Sequence, residues 1–148
     1  MIRPATTADL PAIAACVEDA YATYIPRMGK RPAPMDADHA ARIASTWVLT
    51  GPDAGPDVAG LIVLIPDGGD LMIENVAVSP RHQGHGYGRR LMDFAEDQAR
   101  ERGAPALTLY TNEKMTENLA LYARLGFHET GRRTEDGFAR VYMVKTLT

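Results

Sequence analysis

The stretch from Leu71 to Gly103 constrains the fold of this chain more than any other. An apolar run, Leu71 to Val78, stops at Ser79-Pro80. A loop with three alternating glycines, Gly84, Gly86 and Gly88, follows, and an amphipathic pattern then runs to Gly103. The order is strand, glycine loop, helix. Glycine lets the backbone turn tightly and come close to a ligand, because no Cβ intervenes. The N–H groups of such a loop and of the first helical turn converge, with the positive end of the helix dipole behind them. That arrangement is an anion site, most often for phosphate. Arg81, His82, Arg89 and Arg90 add positive charge around it.

The glycine spacing narrows the phosphate ligand. It is not Gly-x-x-x-x-Gly-Lys-Ser/Thr, which argues against a P-loop NTPase. It is not Gly-x-Gly-x-x-Gly either, and it lies mid-chain rather than at the first strand of a dinucleotide fold. Gln83, Gly86 and Gly88 fit Gln/Arg-x-x-Gly-x-Gly/Ala after a strand. This pattern resembles the acyl-CoA pyrophosphate loop of the GNAT N-acetyltransferase superfamily. A second motif supports the resemblance. Ala106 to Asn112 reads as a strand, and Asn118-Leu-Ala-Leu-Tyr122 followed by Gly126-Phe127 reads as a short helix, a glycine stop and the next strand. Asparagine and tyrosine in that helix are common in the superfamily, with varying spacing. The likeness extends along most of the chain, from Ile2-Arg3-Pro4-Ala5-Thr6 to the last strand.

Bulk properties set the frame. A chain of 148 residues fits one domain, residues 1–148, with a sizeable core. Its hydrophobic content of 45% and charged content of 24% suit a soluble globular protein. A net charge of −3 gives no general pull toward nucleic acid or anionic membrane. No apolar run approaches the roughly 20 residues of a membrane span, and no secretory leader opens the sequence. One cysteine, Cys16, argues for a reducing, cytoplasmic compartment. Four scattered histidines with that cysteine lack zinc-ligand spacing, so no metal is expected.

Leu10, Ile13, Ala14, Val17, Tyr21 and Tyr24 recur at helical spacing and predict a helix from about 8 to 22, capped by a threonine or Asp9. Cys16 lies beside that stripe as a small residue without chemistry. Residues 25–36, with three prolines and a glycine, read as irregular. A second helix is expected over roughly 37–46, a strand over Trp47 to Thr50, and a turn-rich connection over Gly51 to Asp57. Val58 to Ile65 reads as a strand, and Pro66 to Asp70 as a hairpin turn into Leu71 to Val78. Leu91, Met92, Phe94, Ala95 and Ala99 are the inward side of the helix after the loop, which Gly103 ends. Phe127 to about Thr134 and Phe138 to Thr146 make a final hairpin around Glu135-Asp136-Gly137. Strands early and late, with one strand-helix-strand crossover, predict an α/β fold: a mixed, largely antiparallel sheet covered by helices. The GNAT resemblance implies the same.

Acetyl transfer from a thioester to an amine needs a fixed donor, a neutral amine and a stabilised or protonated thiolate. An amine with a pKa of about 10 needs a base at neutral pH, whereas a thiol near 8.5 leaves with help from a weak acid. Glu74 interrupts the apolar run Leu71 to Val78. Burial there would disfavour its charge and make it a better proton acceptor, unless the strand reaches solvent at that point or an arginine pairs with it. The resemblance favours the base, since many GNAT enzymes carry a glutamate on this strand, acting directly or through water. Tyr122 follows Asn118 by four residues, so both project from one helix face. A buried tyrosine commonly satisfies a backbone carbonyl. The resemblance implies instead that Tyr122 gives a proton to the CoA sulfur and that Asn118 contacts the pantetheine arm. It also implies that Gln83, Gly84, His85, Gly86, Tyr87, Gly88 and Arg89 hold the pyrophosphate. Val76, Ala77 and Val78 would pair through their backbone with pantetheine amides where this strand splays from its neighbour.

Arg27, Lys30 and Arg31 lie between the first two helices, where GNAT folds often form the acceptor site. Clustered cations there suit a carboxylate or phosphate on the substrate, with Arg27 and Arg31 as its ligands, or form a solvated loop. Arg132, Arg133 and Arg140 are open to the same two readings. The resemblance implies an acetyl-CoA-dependent N-acetyltransferase acting on a small-molecule or peptide amine. It further allows a homodimer through the C-terminal hairpin. Two other functions share the loop. One is a non-catalytic acyl-CoA-binding sensor, against which the presence of both Glu74 and Tyr122 argues. The other is a nucleotide-binding regulator, which would prefer ATP to CoA.

Overall fold

The computed structural model describes residues 1–51 and 58–148. The expected connection over Gly51 to Asp57 therefore lies, apart from Gly51, outside the described residues. The strands are β1 (Ile2–Pro4), β2 (Thr46–Leu49), β3 (Gly60–Asp67), β4 (Asp70–Val78), β5 (Ala106–Asn112), β6 (His128–Glu135) and β7 (Phe138–Thr146). The helices are α1 (Leu10–Tyr21), the single turn α2 (Ile25–Met28), α3 (Tyr87–Glu101) and α4 (Thr116–Arg124). The strands form a seven-stranded sheet in the order β1-β2-β3-β4-β5-β7-β6. β1 with β2, β2 with β3, β5 with β7 and β6 with β7 pair antiparallel, whereas β4 and β5 are parallel and joined by the α3 crossover.

By contact density the chain divides into two units. The first comprises Met1–Leu64 and Asn75–Phe94. In it α1 buries Ile13, Cys16, Val17 and Tyr21. Cys16, expected beside the apolar stripe, is inside it, and burial pushes its thiol up to about 11. The Trp47 and Phe94 rings pack at a tilt of 58°, with centres 5.5 Å apart. Gly60 is required by packing, since a Cβ there would lie 2.9 Å from the Ala77 carbonyl and 3.1 Å from Leu91 Cδ1. Asp9 accepts two bonds from the Arg3 guanidinium, at 2.8 and 2.9 Å, and one from the Thr6 N–H at 2.8 Å. Its carboxylate thus ties β1 to the entry of α1.

Two expectations fail in this unit. The helix over 37–46 is replaced by turns and a 3₁₀ turn at Ile43–Ser45. Ile43 is the segment's one large apolar residue, so a helix there would have no stripe to bury. The segment is closed instead by Asp38 accepting from the Ala41 N–H at 3.1 Å and by Thr46 Oγ1 donating to the Arg42 carbonyl at 2.7 Å. Residues 25–36 are not wholly irregular either. Pro26 stands in the first turn of α2, and Pro34 in the first turn of a 3₁₀ helix, Ala33–Asp36. Proline's missing N–H is no loss at such positions.

The second unit comprises Ile65–Glu74 and Ala95–Thr148. Leu71 to Ile73 pair with Leu107 to Leu109, and β5 pairs with β7 along its whole length, Ala106 opposite Thr146 and Asn112 opposite Arg140. Alternation then sorts the side chains into two faces. Leu71, Ile73, Leu107, Leu109, Val141 and Met143 are buried on one face. Lys145 lies on that face too, donating to Glu96 of α3 at 2.9 Å. Met72, Glu74, Thr108, Tyr110, Asn112, Arg140 and Tyr142 occupy the other face and are half-buried. The β6–β7 hairpin turns on Asp136 and Gly137, both with positive φ. A bulge between Glu129 and Gly131 interrupts its register.

Candidate active site

The glycine loop lies in the first unit, between the end of β4 and the start of α3. A 3₁₀ turn, Pro80–His82, carries the chain out of the strand, with the His82 N–H donating to the Ser79 carbonyl at 2.9 Å. Gly84 and Gly86 then take left-handed backbone angles, φ 86° and 75°. L side chains rarely adopt these angles, which explains the glycines. The first helical bond of α3 runs from the Arg90 N–H to the Gly86 carbonyl at 3.0 Å, so the early N–H groups of the helix lie at the loop. A Cβ built on Gly84 or Gly86 meets no atom within 4 Å. Gln83, His85 and Arg89 are exposed, and Arg89 pairs with Asp93 at 3.3 Å. The Tyr87 ring is half-buried, with His85 at 5.5 Å, His82 at 6.5 Å and the Arg90 guanidinium at 5.8 Å.

β4 leads into this loop. Asn75 and Ala77 are buried, whereas Val76 and Val78 are half-buried. Sequence reasoning missed what holds the strand. The Tyr21 hydroxyl of α1 donates to Asn75 Oδ1 at 2.8 Å and lies 3.1 Å from the Val76 carbonyl. The available signal was Asn75 itself, a polar residue in an apolar strand that needed a partner. Glu74, in the second unit, does not interrupt a continuous buried run. It falls on the half-exposed side of the alternation, with Met72.

Tyr122 is buried in the second unit, 7% exposed, with its ring 5.9 Å from Phe127. The Phe127 N–H donates to the Tyr122 carbonyl at 3.0 Å, and Gly126, at φ 99°, supplies the left-handed residue that ends α4. Asn118 is half-buried, its amide 3.7 Å from the Met115 sulfur.

Of the expected acceptor cations, Arg31 has its counter-charge within the chain. Its guanidinium forks onto Glu18 at 2.9 and 3.0 Å and donates to Asp36 at 2.9 Å. These bonds raise its pKa and lower that of Glu18, while binding the segment after α2 to α1. Arg27 is exposed, with its guanidinium 5.3 Å from the Tyr24 ring. The C-terminal hairpin holds a further set. Arg132 pairs with Glu129 at 2.9 Å, while Arg133 and Arg140 lie over the rings of Tyr142 and Tyr110, at 4.4 and 4.5 Å.

Solved structures share this architecture. The ribosomal-protein-S18-alanine N-acetyltransferase from Escherichia coli superposes with a TM-score of 0.77 at 24% identity, over 99% of this chain and 92% of that one. A nourseothricin acetyltransferase superposes with a TM-score of 0.75 at 29% identity, over 99% and 97%. The fold is thus that of the GNAT acetyltransferases, a mixed sheet of seven strands flanked by helices. The model of the Acetyltransferase (GNAT) family matches residues 15–127, and the chain belongs to that family. Among curated relatives, the streptothricin acetyltransferase of Streptomyces lavendulae is 39% identical over 84 residues, 55% of this chain and 43% of that protein. The IAA acetyltransferase of Azospirillum brasilense is 36% identical over 72 residues, 49% and 47%. The chain thus matches less than half the length of each.

Proposed function

We propose that residues 1–148 act as a single acetyl-CoA-dependent N-acetyltransferase domain, moving an acetyl group to a primary amine of a small molecule or peptide by direct attack. The observation that carries this reading is the junction of β4 and α3. Two left-handed glycines and the first N–H groups of a helix meet there, with open space where side chains would stand, in a chain of the GNAT family. The loop Gln83 to Arg89 would hold the pyrophosphate through backbone N–H groups, with Gly84, His85, Gly86, Tyr87 and Gly88 forming its floor. The backbone of Val76, Ala77 and Val78 would meet the pantetheine amides, and Asn118 the pantetheine arm.

Glu74 would take the amine proton, directly or through water, and Tyr122 would give one to the departing thiolate. The new amide C–N bond forms as the thioester C–S bond breaks, and the sulfur leaves as free CoA thiol. Arg27 remains a candidate for an acceptor anion, whereas Arg31 would act through the fold. A cytoplasmic location is part of the reading, supported by the one cysteine being a buried thiol. Titration of released thiol against amino acids, polyamines, aminoglycosides and peptide N-termini tests it. Gly86→Val should weaken acetyl-CoA binding at least tenfold by calorimetry, and unchanged affinity removes the loop assignment.

A second reading, a non-catalytic acyl-CoA sensor, draws support from the burial of Tyr122 against Phe127. Tight CoA binding with no thiol released by any amine decides for it.

A further inference from the structure

Arg140 differs from Arg132 and Arg133 of the hairpin in being half-buried where they are exposed. Its side chain is only 14% exposed. The guanidinium lies over the Tyr110 ring, 4.5 Å from its centre, and 5.9 Å from the centre of Phe138. Its one ion-pair contact among the described residues is Glu135 Oε1 at 3.6 Å. A charge-assisted N–H···O bond is about 2.7–2.9 Å long, so this is a long contact, and a guanidinium with five N–H groups keeps donors for a second acceptor. The same Glu135 oxygen already accepts the Tyr142 hydroxyl. That bond is the main cause that holds the Glu135 carboxyl below its usual range and raises the Tyr142 phenol. A guanidinium held over a ring can still present an N–H edge, and a carboxylate binds along such an edge with two parallel bonds.

Register places this group with the proposed base. Arg140 stands opposite Asn112 and Tyr142 opposite Tyr110, on the face that also carries Met72 and Glu74. The Arg140 guanidinium bends back over Tyr110 of β5, the strand that pairs with β4. Neighbouring strands lie about 4.8 Å apart, so a carboxylate on one side of the sheet and a cation over the adjacent strand bracket a short molecule. Arg133 lies over the Tyr142 ring, so two guanidinium groups face one carboxylate, Glu135, at this end. The charge pattern suits an acceptor that carries its own carboxylate, and it disfavours a polyamine.

We infer that Arg140 is a specificity residue that binds the carboxylate of the acceptor, and that the acceptor is an amino acid or a similar short amino-carboxylate. The inference rests on the transferase reading for its substrate but is testable by binding alone. Matched acceptors are used, each amino acid beside its carboxamide, with wild type, Arg140→Gln and Arg140→Lys. Ligand-observed NMR gives affinity and thiol release gives KM.

The carboxylate form should bind wild type about 10- to 100-fold better than the amide, and Arg140→Gln should erase the preference. The amide's affinity and the KM for acetyl-CoA should change less than about threefold. Arg140→Lys keeps charge and loses the fork, so it should recover only part of the preference and serves if the Gln variant does not fold. Carboxylate-dependent binding without turnover keeps the Arg140 assignment and ends the transferase reading. Turnover of amines with no preference for a carboxylate keeps the enzyme and overturns the assignment. So does an equal loss for acid and amide in Arg140→Gln, or the absence of binding by either.

Discussion

Tyr21→Phe removes one oxygen and keeps the ring, so the packing of α1 is preserved and the change isolates a hydrogen bond. That oxygen donates to Asn75 Oδ1 at 2.8 Å and lies 3.1 Å from the Val76 carbonyl. Asn75 is 8% exposed, so water does not replace the lost donor. A buried acceptor left unsatisfied costs about 1–3 kcal/mol. One proton is shared between two acceptors, which puts the expected loss near the lower part of that range, about 1–2 kcal/mol. At about 2–4 °C per kcal/mol for a chain of this size, Tm should fall by roughly 2–8 °C. Urea unfolding of wild type, Tyr21→Phe, Asn75→Ala and the double variant measures the coupling directly, and about 1 kcal/mol is expected between the two sites. Calorimetry with acetyl-CoA adds the functional arm. A Val76 carbonyl released from Tyr21 should bind the donor a few-fold more weakly if β4 meets the pantetheine. A Phe variant within about 0.3 kcal/mol of wild type, with additive behaviour beside Asn75→Ala, refutes the reasoning.

Two further outcomes are expected. Arg3 and the Thr6 N–H hold the Asp9 carboxyl at about 2, below its ordinary 3.8. A depressed carboxylate contributes stability that is full above pH ~4 and lost as pH falls toward 2. That shift corresponds to at most roughly 2.5 kcal/mol, which the partial exposure of Arg3 cuts toward 1–2. Asp9→Asn should therefore destabilise by that amount at pH 7 and match wild type near pH 2, and a gap that persists at acid pH contradicts the pairing. Tyr122→Phe should lower turnover about 10²-fold while acetyl-CoA still binds, if the hydroxyl protonates the thiolate. Wild-type turnover in that variant leaves the tyrosine as packing for Phe127.

The sequence was most legible where alternation and punctuation agree. Ala106–Asn112 and Phe138–Thr146 were read with the bounds that the structure shows. Glycines or prolines lie just outside both strands, and polar and apolar residues alternate within them. Reading failed over 37–46, where alanines favour a helix that has no apolar face to bury. It also failed on the sidedness of β4. Met72, Val76 and Val78 are apolar yet half-exposed, so apolar residues on both faces disguised a period of two as a continuous run. The arginines of the hairpin were indistinguishable in sequence. Only register separates Arg132, opposite Val141 on the buried face, from Arg133 and Arg140 on the face of Tyr142. The Arg31 contacts were hidden for a related reason, since Glu18 is thirteen residues away and joined to it by a bend.

The strand order has a consequence for how this protein goes wrong. β3, Gly-Leu-Ile-Val-Leu-Ile-Pro-Asp, is buried from Gly60 to Leu64 and lies inside the sheet, between β2 and β4. Its first six residues, Gly60 to Ile65, are uncharged and rich in apolar side chains, the composition of a self-templating segment. The strands at the two ends of the order are poor templates. β1 has three residues and ends in Pro4, while β6 carries His128, Glu129, Arg132, Arg133 and Glu135 and is broken by its bulge. Fraying at either end therefore uncovers little that another copy can extend. Fibril formation should keep pace with global unfolding, so variants that lower overall stability will aggregate in proportion, wherever in the chain they lie.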